Sequence, residues 1–300
     1  MKKLLIILIS IFIICLIAFI IHILSIKKLA PTEEYPYDTY LDKEQNKKAL
    51  IVVAHDDDAV AFAGTTSTLA EEGWDISFLC FYPYHWRPED NPTRKIEMVN
   101  VKQIQGLKDI YLIDMEIRNR LDTVEDAWKP IPYEQFAANF NIDSLRMCIG
   151  DAINLSSPSV IFMLDNVIGL YGHPEHVVVG QVVEEYCRYY HDTAGFPVKK
   201  IYQGVLPPSH AEKLMGNTST YSGGKEIYKC DGMPLPDVQV DIYPYAKKKK
   251  SVFLAHASQH RNLKKFFPSY KYIPSKIYFR IFDKEYFNII QLTEVYHEKR

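Results

Sequence analysis

Five short apolar runs constrain this chain more than any other feature. They are "ALIVVAH" (49–55), "DISFLCFY" (75–82), "DIYLID" (109–114), "SVIFMLD" (159–165) and "KKIYQGV" (199–205). The first is continuously apolar and rich in β-branched residues, as expected of a parallel strand covered on both faces. Between the runs lie helical patterns over about 59–73, 94–107, 142–155 and 173–190. Repeated strand–helix units predict an α/β fold, a Rossmann-like, doubly wound, mainly parallel sheet with right-handed crossovers. Such sheets bind ligands beyond the carboxyl ends of their strands. After Ser269, "KIYFRIF" (276–282) and "YFNIIQL" (286–292) are aromatic and β-prone, and predict an added hairpin or edge element.

Ahead of these units stands a different kind of segment. Leu4 to Leu24 is apolar except for Ser10 and His22, long enough as a helix to span the ~30 Å hydrocarbon layer. It predicts a single-pass transmembrane helix. A cleaved signal peptide competes with this reading, but the run exceeds the usual h-region and no small-x-small site follows. Lys2 and Lys3 on one side balance Lys27 and Lys28 on the other, so charge sets orientation weakly. The short N-terminal tail favours an extracytoplasmic domain. Residues 1–28 therefore read as anchor, 29–46, with Pro31 and Pro36, as a polar linker, and 47–300 as the globular domain.

Composition narrows the function. The 35 Lys and Arg nearly balance 37 Asp and Glu, so net charge favours no nucleic acid or acidic polymer. Cys15, Cys80, Cys148, Cys187 and Cys230 form no CxxC pair and predict neither a zinc ribbon nor a disulfide framework. Twenty-one tyrosines leave some available for an amphipathic ligand.

Two clusters carry chemistry. "HDDD" (55–58) follows the first strand, and "YGHPEH" (171–176) follows the fourth. His173 and His176, three apart at a predicted helix start, project from one face of one turn. Both clusters follow sheet strands, so the fold can unite them. His55, Asp58 and His176 then make a two-His, one-carboxylate set suited to zinc, with a fourth position open. Consecutive aspartates point in different directions, so one acting as ligand leaves another free as a base for a zinc-activated water. His173 can protonate a leaving amine or stabilise an oxyanion. The roles assemble an amide-cleaving hydrolase.

"AHDDD" and "YGHPEH" resemble the AHPDDE and GHPDH signatures of the LmbE-like zinc N-deacetylases, the family of the N-acetylglucosaminyl-phosphatidylinositol de-N-acetylases. "KKSVFLAHASQ" (249–259) resembles their C-terminal K-x-x-A-x-x-x-H-x-S-Q element, and "TRKIEM" (93–98) their Arg-x-x-Glu helix. The resemblance spans about residues 47–265. It implies His55, Asp58 and His176 as zinc ligands, Asp57 as general base and His173 as acid or oxyanion partner. It also implies Tyr171 over the substrate carbonyl, Arg94 in substrate binding, and His256 with Gln259 as supports of the site.

Three positions depart from the family pattern. Asp56 replaces the usual proline, loosening the loop and adding a charge that raises neighbouring carboxylate pKa values. Ala59 replaces a common glutamate, and Asn166 stands where many relatives have aspartate, with Asp165 adjacent. We expect a membrane-anchored, zinc-dependent N-deacetylase acting on an N-acetylated sugar or glycolipid. A catalytically impaired glycan-binding protein and a metal-dependent phosphoesterase are the alternatives.

Overall fold

The computed structural model describes residues 2–85, 87–119 and 125–292. Among them, β1 (Lys48–Val52), β2 (Asp75–Tyr82), β3 (Asp109–Asp114), β4 (Val160–Leu164), β5 (Lys200–Val205), β6 (Val238–Asp241) and β7 (Lys284–Gln291) form one sheet. Its order is β3-β2-β1-β4-β5-β7-β6. The first five strands run parallel, and β7 pairs antiparallel with both β5 and β6. The mainly parallel, doubly wound sheet expected from the strand–helix alternation is the fold observed.

Alternating side chains build its two cores. Ala49, Ile51 and Val53 enter one apolar layer, and Leu50, Val52 and Ala54 the other, the period of two that a strand imposes. Helices Ala63–Glu71, Asn91–Gln105 and Ala246–Ala255 cover the first face. Helices Ile142–Ser156, Pro174–Tyr190 and Pro208–Met215 cover the second. Because β1 lies between β2 and β4, the chain reverses direction across the sheet there, opening a crevice at the carboxyl ends of β1 and β4.

The C-terminal region corrects one expectation. "YFNIIQL" lies in β7, but "KIYFRIF" is not its hairpin partner: Ser275–Ile281 is a helix. Pro274 stands at its N-cap, where a fixed φ and absent N–H suit a helix start. Tyr278 and Phe282, four apart, meet with ring centroids at 5.0 Å, a contact of helical period. The antiparallel partners of β7 are instead β5 and β6, the latter at the sheet's edge.

Helix Lys2–Lys27 is long and apolar enough to cross a membrane, judged by length and composition. Its far end packs on the domain. His22 Nε2 meets Ser269 Oγ at 3.0 Å, Ile26 is buried, and Lys213 Nζ donates to the Ala30 carbonyl at 2.7 Å. Residues 30–46 then descend the β5–β7–β6 side. Ser209 N–H donates to Glu33 Oε1 beyond the carboxyl end of β5 (2.8 Å), Tyr202 Oη donates to Asp38 Oδ2 (2.9 Å), and Lys199 Nζ meets Glu44 Oε1 before the strand begins (2.9 Å). The N-terminal helix thus joins at the carboxyl end of the sheet, the end that carries the crevice.

Candidate active site

The crevice holds both acidic and histidine clusters. His55 leaves β1 in an extended conformation, and a 3-10 turn, Asp56–Phe62, follows it. Its backbone N–H donates to Asp58 Oδ2 at 2.8 Å, so Asp58 folds back towards His55. From the other side, helix Pro174–Tyr190 presents His176 from its first turn, with His173 as N-cap.

Three side chains converge. His55 Nδ1 lies 3.2 Å from His176 Nε2 and 3.3 Å from Asp58 Oδ2, and His176 Nε2 lies 3.1 Å from Asp58 Oδ1. A tetrahedral ion with bonds of about 2.0–2.1 Å separates its ligand atoms by roughly 3.3 Å. The set has the size such a cation takes.

The outer hydrogen bonds fit the same purpose. His176 Nδ1 meets the Gly169 carbonyl at 3.0 Å; a carbonyl only accepts, so this nitrogen carries the proton. His55 Nε2 meets Glu175 Oε2 at 2.8 Å, which likewise places its proton on Nε2. Two imidazole lone pairs and a carboxylate then face one point, an arrangement that calls for a cation between them. His173 completes a three-histidine group whose ligand atoms lie within 4.8 Å of one another and can hold a metal ion. Its Nδ1, however, accepts from the Glu175 N–H at 3.2 Å, which leaves Nε2 as a donor when the ring is neutral. Burial holds the His173 pKa well below its usual value.

The acidic run divides its work. Burial raises the Asp57 carboxyl above its usual pKa; Arg94 opposes the rise, and Asp56 and Asp58 add to it. Asp56 is buried, where desolvation opposes ionisation, but Arg94 outweighs it and the pKa falls. Arg94 Nε donates to both Asp56 oxygens at 3.0 and 3.1 Å, its Nη2 reaches Asp57 at 3.0 Å, and Tyr82 Oη donates to Asp56 at 2.9 Å. The aspartate in place of proline is therefore clamped rather than loose. Glu97 serves elsewhere, accepting from the Ser258 N–H and Oγ, each at 2.8 Å.

Asp57, Asp58, Arg94, Tyr171 and Gln259 line a cavity of about 470 Å³ beside His55. Tyr171 packs on Phe266 with centroids 4.9 Å apart and sets its ring edge against His176 at 5.3 Å. His256 is buried, does not line the cavity, and among the described residues its Nδ1 has no hydrogen-bond partner.

The family comparison matches this region. The pattern described as "PIG-L: GlcNAc-PI de-N-acetylase" fits residues 50–187, which run from β1 through the helix bearing His176 and so include both clusters. Residues 50–187 are a PIG-L family domain. No curated protein matches the chain. Among solved structures, the fold resembles that of GalB, the 4-carboxy-2-hydroxymuconate hydratase of Pseudomonas putida, at TM-score 0.52 and 16% identity over 84% of this chain and 99% of that one. It also resembles the zinc inhibited form of teicoplanin deacetylase Orf2, at TM-score 0.50 and 10% identity over 83% and 100%. The N,N'-diacetylchitobiose deacetylase of Pyrococcus horikoshii matches at TM-score 0.48 and 16% identity over 87% and 93%. At these identities the likeness to the hydratase and to Orf2 is one of fold. His256 and Gln259 lie outside the PIG-L match.

Two residues of the PIG-L domain escaped the sequence reading. Asp165 follows β4 directly and accepts from the backbone N–H groups of Val167, Ile168, Gly169 and Leu170 at 2.6–3.2 Å. It shapes the loop whose Gly169 carbonyl orients His176; Gly169 has φ +60°, and a Cβ there would meet His176 Cβ at 2.7 Å. Glu175 orients His55. Its position between the two histidines was the available signal, whereas nothing in sequence pairs it with a residue 120 positions away. Asn166 turns aside to hydrogen-bond Glu184.

Proposed function

We propose that the protein is a membrane-anchored, zinc-dependent hydrolase that removes the N-acetyl group from an N-acetylglucosamine-type sugar or glycoconjugate. The observation that carries the reading is the triangle of His55 Nδ1, Asp58 and His176 Nε2, with edges of 3.1–3.3 Å. In this assignment those three residues hold Zn²⁺, which when bound supplies Lewis acidity for an amide carbonyl and activates a water near neutral pH.

The remaining roles belong to the chain. Asp57, at the cavity wall with a raised pKa, accepts the proton of the attacking water. His173 Nε2–H donates a hydrogen bond to the charge that develops on the carbonyl oxygen, and the proton taken up by Asp57 passes to the departing amine. Tyr171 lies over the carbonyl. Arg94, while holding Asp56 and Asp57, shows the cavity its outer edge for sugar hydroxyls, and Gln259 lines the same wall. His256 supports the site from behind. Helix Lys2–Lys27, 26 residues and so about 39 Å long, anchors the enzyme as residues 1–28; residues 29–46 connect it to the catalytic domain, 47–300, on the extracytoplasmic side.

The test uses the full-length chain in detergent micelles, loaded with Zn²⁺, and a panel of N-acetylated sugars and glycolipids. Acetate release equal to amine formed supports the reading. Stoichiometric metal with no acetate released across the panel overturns it.

A further inference from the structure

The charge pattern of one segment takes no part in this chemistry. Between Ile242 and Phe282 there is no aspartate or glutamate, although acids outnumber bases over the whole chain. Arg261, Lys264, Lys265, Lys271, Lys276 and Arg280 of this stretch are all exposed.

Their placement is as telling as their sign. Ser269, in the middle of the stretch, contacts His22 of the N-terminal helix at 3.0 Å. Ile26 of that helix is buried in the core that includes Tyr270 and Ile273, with Ile23 and Leu29 packed against it. His22 precedes Lys27 by five residues, about 7.5 Å along a helix axis. Ser269 therefore lies level with the last turns of the apolar helix, not above its polar end. Beside it Tyr272 is 82% exposed and Ile277 38% exposed. Exposed aromatic and apolar groups among lysines and arginines, next to the end of a spanning helix, are the chemistry of a bilayer interface.

We propose that the face formed by residues 261–280 is a contact surface for the anionic headgroups of a lipid bilayer, a proposal that rests on the membrane-anchor reading above. The lysines and Arg280 meet headgroup phosphates, and Tyr272 and Ile277 enter the boundary with the acyl chains. Lys265, Phe266 and Phe267 belong both to this stretch and to the wall of the active-site cavity. Contact with the bilayer thus sets the cavity rim at headgroup level, while Lys108 lies just before β3, at the opposite end of the sheet.

The full-length chain is placed in nanodiscs of phosphatidylcholine, alone or mixed with phosphatidylglycerol, and in detergent micelles. A water-soluble amine-acetylating reagent then reports lysine reactivity by mass spectrometry. Lys264, Lys271 and Lys276 are expected to react about fivefold more slowly in the phosphatidylglycerol discs than in micelles, with Lys108 unchanged and weaker protection in phosphatidylcholine alone. The double variant K271E/K276E should lose the protection of Lys264 while staying in the disc. Equal rates in phosphatidylglycerol discs and micelles, or equal protection in both kinds of disc, overturn the proposal and leave the anchor standing. Elution of the chain apart from the discs overturns the anchor, and this face with it.

Discussion

His55 Nδ1 and His176 Nε2 face each other at 3.2 Å across 121 positions of sequence, each with its other ring nitrogen held by a different partner, Glu175 and the Gly169 carbonyl. The pair is oriented from outside, and its lone pairs are directed inward.

Glu175→Gln replaces the acceptor that keeps the His55 proton on Nε2. Loss of such an outer carboxylate typically lowers metal affinity by about 10–100-fold. Competition with a chelator should show this loss for Zn²⁺, with the unfolding midpoint of the metal-free protein little changed. Unaltered affinity would mean that the Glu175 contact does not orient the ligand.

Asp57→Asn keeps the shape of the cavity wall and removes the proposed base. Acetate release should fall by at least about 10²–10⁴-fold, while zinc content by elemental analysis stays at the wild-type level. Full activity in this variant would remove Asp57 from the mechanism.

Asp165→Ala leaves four backbone N–H groups without their acceptor, those of Ile168 and Gly169 buried. An unsatisfied buried donor costs about 1–3 kcal/mol, and water reaching the loop will offset part of the sum, so a loss of roughly 3 kcal/mol or more is expected. Urea unfolding in micelles measures it. Metal affinity should fall as well, because the loop that presents Gly169 to His176 is the one disturbed.

Lys249 and Glu285 form a buried ion pair at 2.5 Å, and Glu285 also accepts from the N–H groups of Gly64 and Thr65 at 2.8 and 2.6 Å. Lys249→Met strands that carboxylate. Breaking a buried pair from one side costs about 3–5 kcal/mol, which a lowered unfolding midpoint should register. A variant as stable as the wild type would show that the backbone donors alone satisfy Glu285.

His210 gives the acid dependence of stability its sign. Burial, with the charges of Lys213 and Lys249 and against that of Glu33, pushes its pKa down to about 4, and its ring stacks on Phe282 at 5.5 Å. The unfolded chain, with a histidine pKa near 6.5, takes up the proton first. Stability from this group is therefore intact above pH ~6.5, falls by up to ~1.4 kcal/mol per pH unit as pH drops towards 4, and levels off below. His210→Leu should flatten that part of the curve. An unchanged slope would place the dependence on other groups.

The sequence alone determined the strands of the parallel sheet, the helices between them, and the residue types at the carboxyl ends of β1 and β4. These follow from local rules: apolar runs, helical period, and histidines and acids just beyond a buried strand. The same local rules misread 276–282, where aromatic content suits strand and helix alike and only the burial of Tyr278 and Phe279 decides between them. They were also silent on Arg94 clamping Asp56, on Glu175 reaching back to His55, and on Asp165 building the loop beneath His176. Tertiary structure alone decided those relationships. Each joins groups from separate turns or strands, and whether a charge binds substrate or its own neighbour depends on a distance that exists only once β1 and β4 lie side by side.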